Sequence, residues 1–303
     1  MRMKFYLFIL MLFLCSNLIN SQSHIRLNNY WDNTYTLNPA SINDSYIGSL
    51  SMATRQQWVT FPGAPRTYLV TGTMYIDDYY TQLGIKILTT KKGYSNDTKI
   101  DLSYAYALLL RRDWILNMGL ALNFNNFSYD LSRITFPVNE NPSTYDRLIE
   151  TNNLNAIVGF ELNHFTTKIG FTSTNLYSLI NPINDLQLNT NILYVMHRQK
   201  NSDFLNWGVG VSAFQYSNMY QMEFNLTAFL KKTAEFSPVQ LGLFYRTWHE
   251  LGLIFGVEVD RIKISYSFDY NLGLIRENSI GSHEIMLIYN LKRSYKCRNC
   301  GWL

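Results

Sequence analysis

Apolar and polar residues alternate along most of the chain, with the two-residue period that places successive side chains of a β-strand on opposite faces. The stretch 113–127 is the clearest case, because every second position in its centre is apolar: Leu116, Met118, Leu120, Leu122 and Phe124. The positions between them are polar or small. A helix would scatter both sets around its axis, so the pattern predicts a strand with one apolar face and one polar face.

The same alternation recurs after an irregular N-terminal segment, 23–45, and predicts about fourteen strands. We expect them at 47–57, 65–76, 80–90, 97–111, 113–127, 153–163, 165–175, 188–199, 204–216, 219–231, 236–247, 249–259, 261–272 and 281–292. Several of these stretches reach about 11 residues, which is enough for a tilted strand to cross a membrane.

The links between the predicted strands alternate between tight and long. Tight turns are expected at Asp77-Asp78, 111–113, His164-Phe165 and Asp260-Arg261, and longer links at 91–96, 127–152, 176–187 and 275–279. Outer-membrane barrels have short periplasmic turns and longer external loops, so the alternation places both ends of the barrel sequence in the periplasm. The short links at 217–218 and 247–248 do not follow this rule. The longest link, 127–152, is the expected external contact surface.

Alternation alone fits a soluble β-sandwich as well as a membrane barrel, because both have one apolar face per strand. Charged residues make up 16% of this chain, below the roughly 25% of soluble domains, and aromatic residues make up 15%. A lipid-facing barrel with a polar interior accounts for this balance. We therefore predict an all-β fold: a transmembrane antiparallel β-barrel of about 14 strands in the outer membrane. Its lumen is either open or plugged, and segment 23–45 lies either in the lumen or in the periplasm.

The N-terminus has the features of a secretory signal peptide. Arg2 and Lys4 precede the apolar run 5–15, and Ser21 is a plausible last residue before cleavage. We accordingly divide the chain into a signal peptide, 1–21, and an outer-membrane β-barrel domain, 22–303. No later stretch has about 18 consecutive apolar residues, so we expect no membrane-spanning helix.

The sequence offers no catalytic, cofactor or metal-binding motif to argue from, so we expect no cofactor and no metal. The histidines are scattered, and Asp77-Asp78 is best explained as a solvated turn. Cys297 and Cys300 form one C-x-x-C in the basic tail, too few ligands for structural zinc, and we interpret them as a local disulfide or an idle tail. The net charge of +4 is too diffuse to indicate nucleic acid.

Three groups of polar and aromatic residues have expected positions in such a barrel. Charged residues on the polar faces should point into the lumen, since Lys or Arg facing lipid at mid-depth costs roughly 2–4 kcal/mol: Lys86, Arg246, Glu258, Lys263 and Asp269. Tryptophans near strand ends should lie in the membrane interface: Trp58, Trp114, Trp207 and Trp248. His283 and Glu284 begin the last strand, and we interpret them as a polar pair near the barrel rim.

Short segments spread over nearly the whole mature chain resemble one bacterial family. They are 38–40 (NPA), 55–58 (RQQW), 63–67 (GAPRT), 240–242 (QLG) with 245–246 (YR), 265–271 (SYSFDYN) and 281–285 (GSHEI). In this order they resemble the PorP/SprF family of type IX secretion system membrane proteins. The residues of this signature that we take as candidate site residues are Asn38, Pro39, Arg55, Trp58, Gly63, Pro65, Gly281, His283 and Glu284.

The resemblance implies a non-enzymatic outer-membrane barrel that takes part in export or surface attachment of large proteins, often gliding adhesins. Its implied partners are outer-membrane lipid and either a secreted adhesin or other type IX secretion components. The alternation by itself would equally serve a passive channel or a transporter for small hydrophobic molecules, which is the alternative function.

Overall fold

Fourteen antiparallel strands account for most of the chain. The computed structural model describes residues 27–111, 113–130, 150–177, 189–199, 204–216, 219–230, 238–247 and 249–292. The strands in these ranges are β1 (Tyr46–Gln56), β2 (Arg66–Ile76), β3 (Thr81–Lys92), β4 (Ser95–Arg111), β5 (Trp114–Tyr129), β6 (Glu150–His164), β7 (Thr167–Thr174), β8 (Thr190–Arg198), β9 (Leu205–Tyr216), β10 (Met219–Leu230), β11 (Val239–Arg246), β12 (Glu250–Val259), β13 (Ile262–Asn271) and β14 (Ser282–Lys292).

Each strand pairs with its neighbours in sequence, and β1 also pairs with β14, so the sheet closes into a barrel. Closure leaves no free edge whose N–H and C=O groups would need another partner, a requirement for any sheet that spans a membrane. The predicted fold is confirmed, and every predicted strand is present with ends that differ by at most three residues.

The outer wall is apolar and the inner wall is polar, as the alternation predicts. On β5, Leu120 is 61% exposed on the outside, whereas Asn117 is 2% exposed on the inside. Ile254 is the one apolar residue of β12 that breaks the alternation, and it faces the lumen, where it is buried. The outer leucines therefore face lipid, and the buried amides and carboxylates line the lumen.

One expected link differs in length from the prediction, and three others lie wholly or mostly outside the described residues. The expected longer link 91–96 is a tight turn, because β3 and β4 extend into it and Gly93 takes a left-handed conformation with φ +57°. Three expected links lie outside the described residues, in whole or for the most part: 127–152, 176–187 and 217–218. The same holds for the signal peptide, Trp248, Cys297 and Cys300.

The N-terminal segment lies inside the barrel. Residues 27–45, called the plug below, contain two short 3₁₀ turns, Asn29–Trp31 and Thr34–Thr36. Segment 27–45 therefore lies in the lumen and not in the periplasm, because its side chains contact inward-facing residues of β10, β13 and β14. No helix among the described residues is long and apolar enough to cross a membrane.

An aromatic cluster between plug and wall forms the main apolar core inside the lumen. Tyr30 of the plug packs with Tyr194 of β8 and Phe214 of β9, all at most 1% exposed. The rings of Tyr30 and Phe214 meet edge to face, with centroids 6.2 Å apart. This packing fixes the depth of the first 3₁₀ turn and thereby the position of the polar contacts on either side of it.

Candidate functional site in the plugged lumen

A buried charged cluster joins the plug to one end of the barrel. Arg55 of β1 pairs with Asp269 of β13, with 2.6 Å between Nη1 and Oδ1. Glu284 of β14 lies beside this pair, with its Oε2 3.6 Å from Arg55 Nη1. The Glu284 carboxylate accepts hydrogen bonds from the backbone N–H groups of Asn28 at 2.7 Å and Asn29 at 2.9 Å. The plug backbone thus supplies donors that the buried carboxylate needs.

A second ion-pair group continues this cluster. Arg246 donates from Nε to Glu223 at 2.5 Å and from Nη1 to Glu250 at 2.9 Å. Its Nη2 donates to the side-chain oxygen of Asn28 at 2.5 Å, while Asn28 Nδ2 donates to Asp269 at 2.6 Å. Asn28 therefore links the two arginine groups. These four side chains and Asn28 are at most 5% exposed, so the whole cluster is removed from water.

Asp32 anchors the middle of the plug to β11 and β13, the strands that also carry Arg246 and Asp269. Its carboxylate accepts hydrogen bonds from Lys263 Nζ at 2.7 Å and from Gln240 Nε2 at 2.8 Å and 2.9 Å. Ser265 also donates to it. Because the Asp32 side chain is only 5% exposed, the ion pair with Lys263 is shielded from solvent and holds the plug more firmly than a surface pair would.

The turn at Asn38 and Pro39 presses against two glycines of the wall. Asn38 Nδ2 donates to the backbone oxygen of Phe160 at 3.0 Å. A Cβ at Gly159 would lie 2.0 Å from Asn38 Oδ1, and a Cβ at Gly119 would lie 2.4 Å from the backbone nitrogen of Ala40. Only residues without a side chain allow the plug to approach β5 and β6 this closely.

A tyrosine holds the second 3₁₀ turn of the plug. The hydroxyl groups of Tyr35 and Ser103 of β4 are 2.7 Å apart and share a hydrogen bond. Burial raises the pKa of Tyr35 to about 12, with a smaller contribution from the negative charge of Asp101. The phenol therefore stays neutral and keeps its hydrogen bond over the whole physiological pH range.

The remaining part of the lumen holds a cavity of about 740 Å³, called the vestibule below. It lies at the end where β1 begins and β14 ends. The plug forms one side through Trp31 and Asp32, and the wall contributes Arg198, Phe229 and Glu258. The guanidinium of Arg198 lies 3.8 Å from the centre of the Phe229 ring. The volume is in the range of small-ligand pockets, and its lining is mixed polar, charged and aromatic.

The loop between β1 and β2 forms a rigid cover at the other end of the barrel. Gly63 accepts a hydrogen bond from the N–H of Gly93 at 2.9 Å, and Gly281 accepts one from Val59 at 2.8 Å. Trp58 and Thr60 have left-handed φ values of +49° and +80°. For a β-branched residue such as Thr60 this conformation costs about 1–3 kcal/mol, which the ties to neighbouring loops offset.

The structure brings most of the signature residues into three places. Arg55 and Glu284 meet in the charged cluster; Asn38 and Pro39 form the turn against the wall; the cover contains Trp58, Gly63 and Pro65 and is tied to Gly281. Glu284 lies near the end of β14, as the rim interpretation expects, but its side chain is fully buried under the plug and does not form a pair with His283.

His283 faces the other way from Glu284, as neighbours along a strand must. Its Nδ1 lies 2.7 Å from the hydroxyl of Tyr266 on the outer wall. The charged residues expected to point inward do so, as the contacts of Lys86 with Asp101 and of Lys263 with Asp32 demonstrate. Trp114 and Trp207 are half-exposed near the ends of β5 and β9, as a girdle position requires.

Sequence reasoning did not identify the partners that make these residues a site. Asn28 and Asp32 lie in an irregular segment without periodicity, and Glu223 is one polar residue among many on an inner face. The sequence did contain one indication of these contacts: an Asn or Asp in a segment that lies in the lumen needs hydrogen-bond partners, and the inward-facing charged residues are the available ones.

No three His, Cys, Asp or Glu residues of the described ranges are grouped as metal ligands.

Residues 19–289 match the family described as "Type IX secretion system membrane protein PorP/SprF". The chain belongs to the PorP/SprF family. The match spans the plug and all fourteen strands except the last residues of β14. No curated protein is similar enough in sequence to count as a relative. The family and the closed barrel place this PorP/SprF protein in the outer membrane.

Solved outer-membrane barrels share the fold of this PorP/SprF chain. The toluene transporter TodX of Pseudomonas putida has a TM-score of 0.51 at 8% identity, over 88% of this chain and 93% of TodX. The toluene transporter TbuX of Ralstonia pickettii has a TM-score of 0.51 at 9% identity, over 86% of this chain and 93% of TbuX. At such low identity the likeness establishes the barrel fold alone.

Proposed function

We propose that this PorP/SprF barrel is a non-enzymatic component of type IX secretion that supports the export or surface anchoring of a secreted adhesin. The observation that carries the proposal is the plug, which lies in the lumen and is tied through Asn28 to Asp269, Glu284 and Arg246 of the wall. A barrel whose interior is occupied by its own buried segment is suited to act as a rigid membrane scaffold.

The energetics of the plug support a permanent scaffold over a pore that empties readily. Withdrawing the plug would leave Arg246, Asp269 and Glu284 without the plug donors and acceptors that now complete their hydrogen bonds. Losing one hydrogen bond to a buried charged group costs about 1.5–3 kcal/mol, and several would be lost together. On this proposal the outer ends of the loops and the vestibule are the surfaces left for partners.

A channel or transporter for small hydrophobic molecules is the second candidate. The vestibule supports it, since its 740 Å³ would hold a molecule of drug size. TodX and TbuX, which share the fold, are toluene transporters. The residues that line the vestibule disfavour transport of hydrophobic molecules. Asp32, Arg198 and Glu258 are charged, and a hydrophobic molecule would have to enter the vestibule beside them.

Surface display of the adhesin in a gene-deletion strain tests the proposal. We expect deletion to abolish display and the wild-type gene to restore it, as judged by antibody labelling of intact cells. Normal display in the deletion strain would contradict the proposal.

Conductance of the purified barrel in planar bilayers separates the two candidates. The scaffold predicts a barrel that stays closed. A steady open conductance of the wild-type protein, together with uptake of a small hydrophobic compound into proteoliposomes, would favour the transporter.

A further inference from the structure

Strand β6 rises above its neighbour β7 at the end of the barrel opposite the vestibule. It pairs with β5 along its whole length, from Glu150 to His164, whereas it pairs with β7 only from Val158 onward. About 11 residues carry a tilted strand across a membrane, so the part of β6 above Leu154 extends beyond it. The wall is closed within the membrane, but above it one side of β6 has no neighbouring strand among the described residues.

The contacts of Ala156 indicate which backbone groups face this open side. Its oxygen accepts a hydrogen bond from the N–H of Leu176, which follows β7, at 3.1 Å. Its own N–H donates to the side-chain oxygen of Asn155 at 3.1 Å, so pairing is complete at this level. Backbone groups of successive strand residues point to alternate sides, so every second residue above Ala156 turns its N–H and C=O to the open side. These residues are Glu150, Asn152 and Leu154.

This open edge, residues 150–154 of β6, lacks the devices that keep exposed strand edges from pairing with other chains. It contains no proline and no lysine, and the register against β5 has no shift that would mark a bulge. Glu150 at the tip is its single charged residue. An unprotected edge of this kind is the template that β-augmentation uses, in which an extended segment of another chain adds one strand to a sheet.

The outward side chains of the open edge define which segment fits it. Leu154 is 58% exposed, and Glu150, four residues away on the same face, is exposed as well. The Glu150 carboxylate accepts a hydrogen bond from Asn126 Nδ2 at 2.5 Å, a neutral donor that leaves its negative charge in place. Residues directly opposite each other in paired strands interact, so a complementary strand has an apolar residue beside Leu154 and a cation beside Glu150.

A second copy of the chain does not meet this requirement. Two barrels in one membrane have the same orientation, so their open edges could pair only in parallel. That arrangement would bring Glu150 of one copy close to Glu150 of the other, and like charges side by side destabilise strand pairing.

We propose that the open edge of β6 binds an extended polypeptide segment by β-augmentation. The segment forms one added antiparallel strand, with an apolar residue opposite Leu154 and, four residues later, a Lys or Arg opposite Glu150. Backbone hydrogen bonds to Asn152 and its two alternate neighbours supply the affinity, and the two side-chain pairs set the register. This site deepens the function proposed above and rests on it only for the source of the segment, an exported protein held at the cell surface.

Fluorescence anisotropy of a labelled synthetic peptide, with the barrel in lipid nanodiscs, tests the site directly. The peptide is Thr-Thr-Val-Thr-Thr-Thr-Lys-Thr-Thr, whose valine and lysine match Leu154 and Glu150 in antiparallel pairing. We expect saturable binding. N-methyl groups on the valine, the central threonine and the lysine remove the N–H groups that face β6 and should weaken binding about tenfold or more. N-methyl groups on the two threonines between them, whose N–H groups point away, are the matched control and should leave binding nearly unchanged.

Proline at position 152 tests the same contact from the side of the barrel. Asn152→Pro removes an N–H on the open side and none that pairs with β5, so the barrel should still form. We expect it to weaken peptide binding about tenfold or more, whereas Asn152→Ala, which keeps the N–H, should bind like the wild type. Migration on a gel before and after boiling establishes that each variant is folded.

A charge exchange at position 150 tests the register without changing the backbone. The wild type should prefer the lysine peptide to the same peptide with glutamate in place of lysine, and Glu150→Lys should reverse this preference. Absence of binding by the wild type, equal binding of the two N-methylated peptides, or an unchanged preference in Glu150→Lys would overturn the proposal.

Surface display in cells distinguishes failure of this site from failure of the proposed function. We expect display to fall in an Asn152→Pro strain and to remain normal in an Asn152→Ala strain. Loss of display in the deletion strain together with normal display in the Asn152→Pro strain would overturn the open edge as the docking site and leave the proposed function standing. Normal display in the deletion strain would contradict the proposed function, and the peptide measurements alone would then decide whether the edge binds a strand.

Discussion

Arg55 and Asp269 form a two-pronged ion pair across the seam where the barrel closes, although 214 residues separate them in sequence. Nη1 lies 2.6 Å from Oδ1 and Nη2 lies 3.0 Å from Oδ2. Parallel hydrogen bonds of this kind fix the guanidinium in one orientation. Because β14 lies between the strands that carry them, the pair spans the β13–β14–β1 junction and also orients Glu284 toward the plug.

Removing the arginine of this pair should destabilise the barrel strongly. Arg55→Ala leaves Asp269 and Glu284 buried without their cation, and breaking one side of a buried pair costs about 3–5 kcal/mol. We expect this loss in urea titrations of the protein folded into lipid vesicles, followed by gel migration. Arg66→Ala, at an exposed position of β2, should change the free energy of unfolding by less than about 0.5 kcal/mol. Equal stability of the two variants would refute the role of the pair.

The Asp32 anchor should control how often the plug leaves its place. Asp32→Asn keeps the shape but removes the charge that pairs with Lys263 at 2.7 Å. Losing a hydrogen-bonded ion pair of this kind costs about 2 kcal/mol, which raises the population of a displaced plug by a factor of about 30. Single-channel recordings should therefore register brief openings of the variant that the wild type lacks.

Asp78→Asn is the control for this experiment, since Asp78 is an exposed carboxylate in the β2–β3 turn, away from the plug. Single-channel recordings of this variant should be the same as those of the wild type. If no channel openings are recorded for Asp32→Asn, the prediction is wrong and the charged cluster around Asn28 suffices to hold the plug.

A methyl group on the wall should displace the plug turn. In Gly159→Ala the new Cβ would lie 2.0 Å from Asn38 Oδ1, so the Asn38–Pro39 turn has to move. Such overpacking costs about 1–3 kcal/mol. Limited proteolysis of the barrel in detergent should cleave the plug faster in this variant. Gly72→Ala, whose Cβ faces outward at an ordinary 3.4 Å from Ile85, should be cleaved at the wild-type rate.

The hydroxyl of Tyr35 should make plug stability depend on pH in the alkaline range. Tyr35 lies in the plug, outside the membrane-spanning strands, and its pKa rises from 10.0 to about 12 on folding. The folded state therefore holds the phenolic proton more tightly, so this stabilisation is complete below pH 10 and is lost as the pH rises toward 12. Two pKa units correspond to about 2–3 kcal/mol.

We expect Tyr35→Phe to cost about 1 kcal/mol at neutral pH, where it loses the bond to Ser103, and to lack that alkaline decline. Urea titrations between pH 8 and 12 measure the difference. Tyr79→Phe is the control, because Tyr79 is 70% exposed in a turn. A decline of the same size in wild type and Tyr35→Phe would contradict the assignment to Tyr35.

The strands and their faces were determined by the sequence itself. Alternation such as that from Leu116 to Phe124 has a fixed geometric meaning, since side chains one residue apart in a strand point to opposite faces. Turn residues then fixed most strand ends, and the low charge content with long strands distinguished a membrane barrel from a sandwich. The short turn at Gly93 was missed because a pair of strands can extend by pairing polar residues that carry no apolar signal.

Only the tertiary structure decided what fills the lumen and which residues form the site. Asn28, Asp32 and Asn38 lie in a segment without periodicity, and nothing local sets their partners. Arg55, Asp269 and Glu284 are brought together by closure of β1 onto β14, a contact between the two ends of the barrel sequence. Short-range patterns carry information about neighbours along the chain, whereas a buried charge is satisfied by whichever residues the closed wall brings within hydrogen-bonding distance.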